Sequence, residues 1–280
     1  MTRVVAALSG GGAKAAAHVG AIRALGEAGL APAHFVGTSM GAVIGAAFAS
    51  NLAPDAILAR LVEVGGKGLA RSLFAPIGGL YLSSLMRPEP LRRAIEAFLP
   101  ARSFSELALP LTVTATDLDS GELTLFGAGG ADVPLIDALM ASSALPMFFP
   151  AVTIGGRRYG DGGLRGVVPM EPAAAAGAEL VVALDIGPGF DELVVSPSPY
   201  PSLVRAHNDA TGILMAANTA LQLALWRADA SKPRLIYVRP RVERHATFRI
   251  DQAEAYAGEG YRAMGEALQR ESGRAGKREG

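Results

Sequence analysis

The chain has 280 residues, of which 26 are basic and 26 acidic, so its formal net charge is zero. The chain has no basic excess that would indicate a nucleic-acid-binding surface, and we expect no nucleic-acid partner. The absence of cysteine excludes disulfides, thiolate catalysis and zinc–thiolate sites. Four histidines are scattered without the spacing of metal ligands: His18, His34, His207 and His245. We therefore expect neither a bound metal nor a cofactor.

The length suits one large α/β domain, and the sequence contains no internal repeat and no recognisable linker. We predict a single domain over residues 1–270 and a flexible, charged tail over residues 271–280. The apolar run at residues 4–8 is shorter than the core of a signal peptide. No run of about 20 apolar residues is long enough to span a membrane. We expect a cytoplasmic protein, and export by a route without a signal peptide stays open.

The first elements alternate between strand and helix. Residues 4–8 are predicted as a buried strand, and a glycine loop follows it. Residues 15–28 then form a helix that ends at Gly29, and a second strand ends at Phe35 and Val36. This order of elements predicts an α/β fold with a parallel sheet whose two faces are covered.

The rest of the chain continues this alternation. Further helices are predicted at residues 54–64, 90–98, 133–143, 210–230 and 251–269. Further strands are predicted at residues 111–116, 122–126, 151–154, 157–159, 180–184 and 235–238. Turn residues join 111–116 to 122–126 and 151–154 to 157–159, so each pair is a predicted hairpin. Residues 69–86 are apolar and suit an acyl-chain pocket or transient contact with a membrane surface, although packing in the core is the commoner role. Residues 187–201 are a proline-rich loop of the kind that forms lids.

Residues Gly37-Thr38-Ser39-Met40-Gly41 have the pattern of a nucleophile elbow. Such a turn from strand to helix holds the serine in a strained backbone conformation with its hydroxyl exposed. The flanking glycines are required because side chains there would clash with the neighbouring strand and helix. The following helix directs its positive end toward the serine, where negative charge would develop. Ser39 is therefore the candidate nucleophile.

A serine nucleophile also needs hydrogen-bond donors for the oxyanion that forms during attack on a carbonyl. The loop Gly10, Gly11 and Gly12 offers free N–H groups between the first strand and helix, and Lys14 is placed to add positive potential. The same residues match the dinucleotide-binding pattern G-x-G-x-x-A. That alternative lacks the acidic residue expected at the end of the second strand. A P-loop is a poor match because Ala15, not Ser or Thr, follows Lys14.

The serine also needs a general base. His207 and His245 come late enough in the chain for a catalytic triad, but neither follows a clear strand, and we interpret both as surface or loop residues. His18 and His34 are interpreted as helix-face and loop residues. Asp161 lies at the end of a predicted hairpin beside two glycines, where its carboxylate would be accessible. The rival carboxylates are Asp117 and Asp119 in a hairpin turn and Asp185 at the end of a strand, which is the second choice.

Together, three motifs resemble those of the patatin-like phospholipase family. Gly10-Gly11-Gly12-Ala13-Lys14 is similar to the family's oxyanion-hole loop, Gly37-Thr38-Ser39-Met40-Gly41 to its nucleophile motif and Asp161-Gly162-Gly163 to its dyad motif. Residues 141–146 (Ala-Ser-Ser-Ala-Leu-Pro) also resemble a stretch of the family. The resemblance extends over about residues 4–186, and the family commonly has glycine where this chain has Ala15.

The resemblance implies a three-layer α/β/α fold with a mainly parallel central sheet and a Ser39–Asp161 dyad without a catalytic histidine. The implied activity is that of a phospholipase A, lysophospholipase or esterase that cleaves lipid esters through an acyl–Ser39 intermediate. A non-catalytic lipid- or acyl-binding protein of the same fold and an acyltransferase are the alternatives. The sequence does not identify the head group, the chain length or the oligomeric state.

Overall fold

The computed structural model describes residues 2–66, 84–189, 202–242 and 252–276. The strands are β1 Val4–Leu8, β2 His34–Thr38, β3 Leu111–Asp117, β4 Leu123–Gly127, β5 Val152–Ile154, β6 Arg157–Asp161, β7 Leu180–Leu184 and β8 Arg234–Val238. The α-helices are α1 Ala16–Glu27, α2 Met40–Ala49, α3 Pro54–Gly66, α4 Pro88–Phe98, α5 Leu135–Ser142, α6 Met170–Ala175, α7 Ser202–Ala228 and α8 Ala253–Gly276. Short 3₁₀ turns lie at Gly12–Ala15, Phe104–Glu106 and Gly162–Leu164.

One mixed sheet organises the described residues. Its parallel part has the order β3-β2-β1-β7-β8, and β4, β6 and β5 add antiparallel pairs at the β3 end. The central strands β1, β2 and β7 are buried along their whole length. Such continuous burial is typical of parallel strands with helices on both faces. The predicted α/β class and the two predicted hairpins are confirmed.

The side chains of the sheet divide between two cores. Alternate residues of β1, Val4, Ala6 and Leu8, pack with helices α1, α2, α3, α4, α5 and α8. The intervening residues Val5 and Ala7 pack with α6 and α7 on the other face. The central sheet is therefore covered on both faces, and the predicted three-layer arrangement is confirmed.

Several predicted element boundaries are wrong. Helix α7 begins at Ser202, eight residues before the predicted start, and α8 ends at Gly276 rather than at residue 269. His34, interpreted as a loop residue, is the first residue of β2. Most of the apolar segment 69–86 and most of the proline-rich loop 187–201 lie outside the described residues. The single domain over 1–270 and the flexible tail stay predictions.

No helix in the described ranges combines the length and the apolar character needed to cross a bilayer.

Candidate active site

Ser39 occupies the sharp turn between β2 and α2. Its backbone has φ 53° and ψ −129°, a conformation that non-glycine residues rarely adopt. The turn is possible because of its two flanking glycines: a Cβ at Gly37 would lie 2.4 Å from Ala42 Cα, and one at Gly41 would lie 2.4 Å from the carbonyl oxygen of Leu8. The strained serine and the steric need for both glycines are as predicted.

Helix α5 holds the backbone of the turn. The N–H of Ser39 donates a hydrogen bond of 2.7 Å to the Oγ of Ser142, which is fully buried. Ser142 belongs to the stretch 141–146 that resembles the family, but sequence reasoning gave it no role. The hydrogen bond fixes the strained residue from outside its own strand and helix.

The register of β3 brings Asp161 to Ser39. Thr114 of β3 pairs with Thr38 at the end of β2, and the next residue, Ala115, pairs with Asp161 at the end of β6. Because β4 occupies the opposite edge of β3, strands β2 and β6 share one edge and their ends meet there. Two residues far apart in the chain therefore become neighbours.

The carboxylate of Asp161 is buried and oriented. Its Oδ1 accepts a 2.7 Å hydrogen bond from the N–H of Gly163, and the Ser39 hydroxyl is close enough to the same carboxylate to favour its charged form. Asp161 is only 6% exposed. Burial raises the pKa of Asp161 from 3.8 to about 6, an increase that the N–H of Gly163 and the hydroxyl of Ser39 limit. An aspartate with this pKa is ionised at neutral pH and is a stronger base than an exposed one.

The glycine loop packs against the serine, but its three N–H groups are not equivalent. A Cβ at Gly10 would lie 3.1 Å from Ser39 Cβ, and the N–H of Gly10 donates to the carbonyl of Val167 at 3.3 Å. The prediction that Gly10 offers a free donor is therefore wrong. The N–H groups of Gly11 and Gly12 have no acceptor among the residues that the structure describes. Gly12 has φ 62°, which favours glycine.

A buried histidine contacts the backbone just before the glycine loop. His18 of α1 is fully buried, and burial lowers its pKa to about 4, so the ring is neutral. Its Nε2 lies 2.9 Å from the carbonyl oxygen of Ser9, the residue before the glycines. The Oγ of Ser9 accepts from the N–H of Ile186 at 2.8 Å. Sequence reasoning missed this anchor because it interpreted His18 only as a helix-face residue.

The other residues predicted from the sequence are Lys14 and the histidines, and two of them line the cavity that contains Ser39. Lys14 is 3% exposed and lines the cavity that contains Ser39. His207 is half-buried in α7 and also lines this cavity, so its interpretation as a loop residue is wrong. Within the described parts of the chain, no histidine hydrogen-bonds to Ser39 or Asp161. His245 lies outside those parts.

The rival carboxylates are engaged elsewhere. Asp117 accepts from the N–H groups of its own turn and pairs with Arg157 at 2.6 Å. Asp119 pairs with Arg158. Asp185 accepts from the N–H of Gly187 and from the side chains of Tyr237 and Arg239. In the residues that the structure covers, no group of three His, Asp or Glu side chains is arranged to hold a metal ion.

The cavity in front of Ser39 and Asp161 has a volume of about 610 Å³. Its walls are largely apolar side chains from α2, α4 and the segment after α5, including Val43, Leu91, Ile95, Phe98, Leu145 and Phe148. Ligand cavities of this size and apolar character hold small organic molecules. The arrangement combines a hydroxyl, a buried carboxylate, N–H donors without an acceptor among the described residues, and room for an apolar ligand.

Sequence comparisons show which proteins this chain is similar to. The model of the patatin-like phospholipase family matches residues 6–174, a range that contains the glycine loop, Ser39 and Asp161. An uncharacterized NTE family protein of Mycobacterium tuberculosis is 32% identical over 184 residues, which are 66% of this chain and 49% of that protein. Patatin-like phospholipase domain-containing protein 6 of Mus musculus is 28% identical over 183 residues, 64% of this chain and 13% of that protein.

This chain thus spans about half, or less, of the length of these curated relatives. The crystal structure of VipD from Legionella pneumophila resembles the fold with a TM-score of 0.53 and 16% identity, covering 96% of this chain and 67% of that one. With the family model matching more than half of its residues, the chain belongs to the patatin-like phospholipase family.

Proposed function

We propose that this chain is a serine acyl hydrolase that cleaves carboxylic esters of lipids, with Ser39 as nucleophile and Asp161 as base. The observation that carries the proposal is that Ser39, on its strained turn, and the buried Asp161 carboxylate lie close together in the lining of one largely apolar cavity. Membership of the patatin-like phospholipase family supports the same reaction class.

In the first half-reaction, Ser39 Oγ attacks the carbonyl carbon of the ester and its proton passes to the Asp161 carboxylate. The raised pKa of Asp161 favours this transfer because a base is most effective when its pKa approaches the working pH. The tetrahedral intermediate then collapses, and the proton on Asp161 moves to the departing alcohol oxygen. The products are the alcohol, which carries the head group, and an acyl–Ser39 ester.

The oxyanion of the tetrahedral intermediate requires donors that no other group uses. We assign this role to the N–H groups of Gly11 and Gly12, together with that of Met40, the first residue of α2. Gly10 instead fixes the loop through its bond to Val167. The N-terminus of α2 and the ammonium of Lys14 add positive potential beside the developing charge.

In the second half-reaction, water attacks the acyl–Ser39 carbonyl and gives its proton to Asp161. The second tetrahedral intermediate expels Ser39 Oγ, which takes the proton back, and the fatty acid leaves. The apolar wall formed by Leu91, Ile95 and Phe98 suits the acyl chain of the substrate.

The test is a panel of short p-nitrophenyl esters, phospholipids and lysophospholipids, assayed with wild type and Ser39→Ala. We expect the wild type to release fatty acid and Ser39→Ala to be inactive and folded. Ser50→Ala, at the other end of α2, is the matched control and should keep wild-type turnover. Saturable lipid binding without turnover would instead identify a binding protein, and transfer of the acyl group to an added alcohol without hydrolysis would identify an acyltransferase.

A further inference from the structure

Helix α7 carries a row of leucines on its solvent face. Leu203, Leu214, Leu221 and Leu225 are 77%, 71%, 59% and 61% exposed. At about 100° per residue these four side chains lie within an arc of roughly 40° on one side of the helix. Between residues 210 and 226 the helix has no charged side chain. We call these four residues the leucine row.

The leucine row is exposed although helix α7 is packed against the rest of the protein. A different side of α7, roughly 60–160° around the helix from the row, is anchored through Val204, Thr219 and Trp226, which are buried. Asn218 fixes the helix further by donating to the carbonyl of Arg165 at 2.8 Å. The helix therefore presents its apolar side outward while it is held on the protein, and exposed apolar patches of this kind mark interaction surfaces.

Helix α7 carries both the leucine row and part of the lining of the active-site cavity. Thr211, Ile213 and Met215 of the same helix line the cavity, and Ile213 is also half exposed. Ile213 is next to Leu214 of the leucine row, so apolar side chains extend from the solvent face of α7 to the cavity lining. A ligand that contacts the leucine row is placed beside the opening to Ser39.

We propose that the leucine row docks on the surface of an uncharged or zwitterionic lipid bilayer and places the cavity mouth at that surface. The absence of charge across residues 210–226 fits the insertion of leucine side chains between lipids and gives no means of attraction to anionic head groups. Lipid is the occupant that the cavity argues for, because an acyl chain leaving the bilayer can follow these apolar side chains past Ile213. This part of the inference rests on the proposed function.

Binding and catalysis are separated by using Ser39→Ala, which cannot turn over lipid. The experiment is flotation with phosphatidylcholine vesicles at low and high salt, with Leu214→Glu/Leu221→Glu introduced into this background. We expect Ser39→Ala to float at both salt concentrations. The added substitutions should lower the partition coefficient by about tenfold or more, because they remove two exposed leucines from the apolar contact. Leu123→Glu, at an exposed leucine of β4, is the matched control and should float normally.

The same pair of substitutions is then placed in the active chain. Hydrolysis of a monomeric short ester should stay at the wild-type rate, whereas hydrolysis of phosphatidylcholine in vesicles should fall with the partition coefficient. Unchanged flotation of the double variant would overturn the docking surface. A wild-type dimer in sedimentation that the substitutions dissociate would overturn it as well and assign the leucine row to a second copy. Normal flotation with no hydrolysis of any ester would leave the docking surface standing and refute the proposed function.

Discussion

Replacing Asp161 by asparagine should increase the stability of the protein at neutral pH. Asparagine keeps the shape of the side chain and an oxygen that can accept from the N–H of Gly163, but it has no charge to bury. In the folded protein burial raises the pKa of Asp161 from 3.8 to about 6. The folded state therefore binds this proton more tightly than the unfolded chain does, and stability is lost as pH rises through about 6. The difference between the two pKa values corresponds to roughly 3 kcal/mol.

The assay is urea-induced unfolding of wild type and Asp161→Asn between pH 4 and pH 8. At pH 8 the variant should have the higher free energy of unfolding, by up to about 3 kcal/mol. The advantage should shrink as pH falls through about 6 and be nearly absent at pH 4, where both forms carry no charge at this position. Asp132→Asn, at an exposed aspartate, is the control and should leave the free energy of unfolding unchanged. A variant less stable than wild type at pH 8, or a difference independent of pH, would refute the reasoning.

The same substitution should reduce turnover by about 10²-fold or more, because the general base is lost. In the wild type kcat/KM should rise with pH through about 6, since only the ionised carboxylate accepts the serine proton. Stability and activity therefore change in opposite directions at this one residue, as expected where a buried charge serves chemistry rather than folding.

Three further substitutions test the parts around the dyad. Gly11→Val should lower kcat by about 10²–10³-fold through loss of oxyanion donors; micromolar binding of NAD or FAD to the wild type by calorimetry, with full esterase activity in the variant, would support the dinucleotide alternative instead. His207→Ala should lower kcat far less than Asp161→Asn does, and equal losses in an ester assay would point to a histidine base. His18→Ala should lower kcat more than it raises KM, because the glycine loop loses its anchor at Ser9; an unchanged kcat would remove His18 from this role.

The local features of the site follow from the sequence because they depend on short-range sterics. The sharp turn at Ser39 leaves no room for a Cβ at position 37 or 41, and the sequence has glycine at both. The parallel strands are recognisable in the same way, since each is a short continuous apolar run.

The features that depend on tertiary contacts could not be predicted. Two hydrogen bonds of the site join segments more than 100 residues apart. One runs from the N–H of Gly10 to the carbonyl of Val167, and the other from the N–H of Ser39 to the Oγ of Ser142. No local pattern encodes the register of β3 that places Asp161 next to Ser39. The start of α7 was missed because its first two turns contain polar side chains, which hide the helical period that is clear after residue 210.

The central claim is that Asp161 activates Ser39 as the nucleophile. The most direct measurement is the mass of the intact protein, followed by peptide mapping, after reaction with a fluorophosphonate. We predict a single adduct on the peptide that contains Ser39, no adduct in Ser39→Ala and much slower labelling in Asp161→Asn. An adduct on another serine, or labelling of Ser39→Ala at the wild-type rate, would contradict the account.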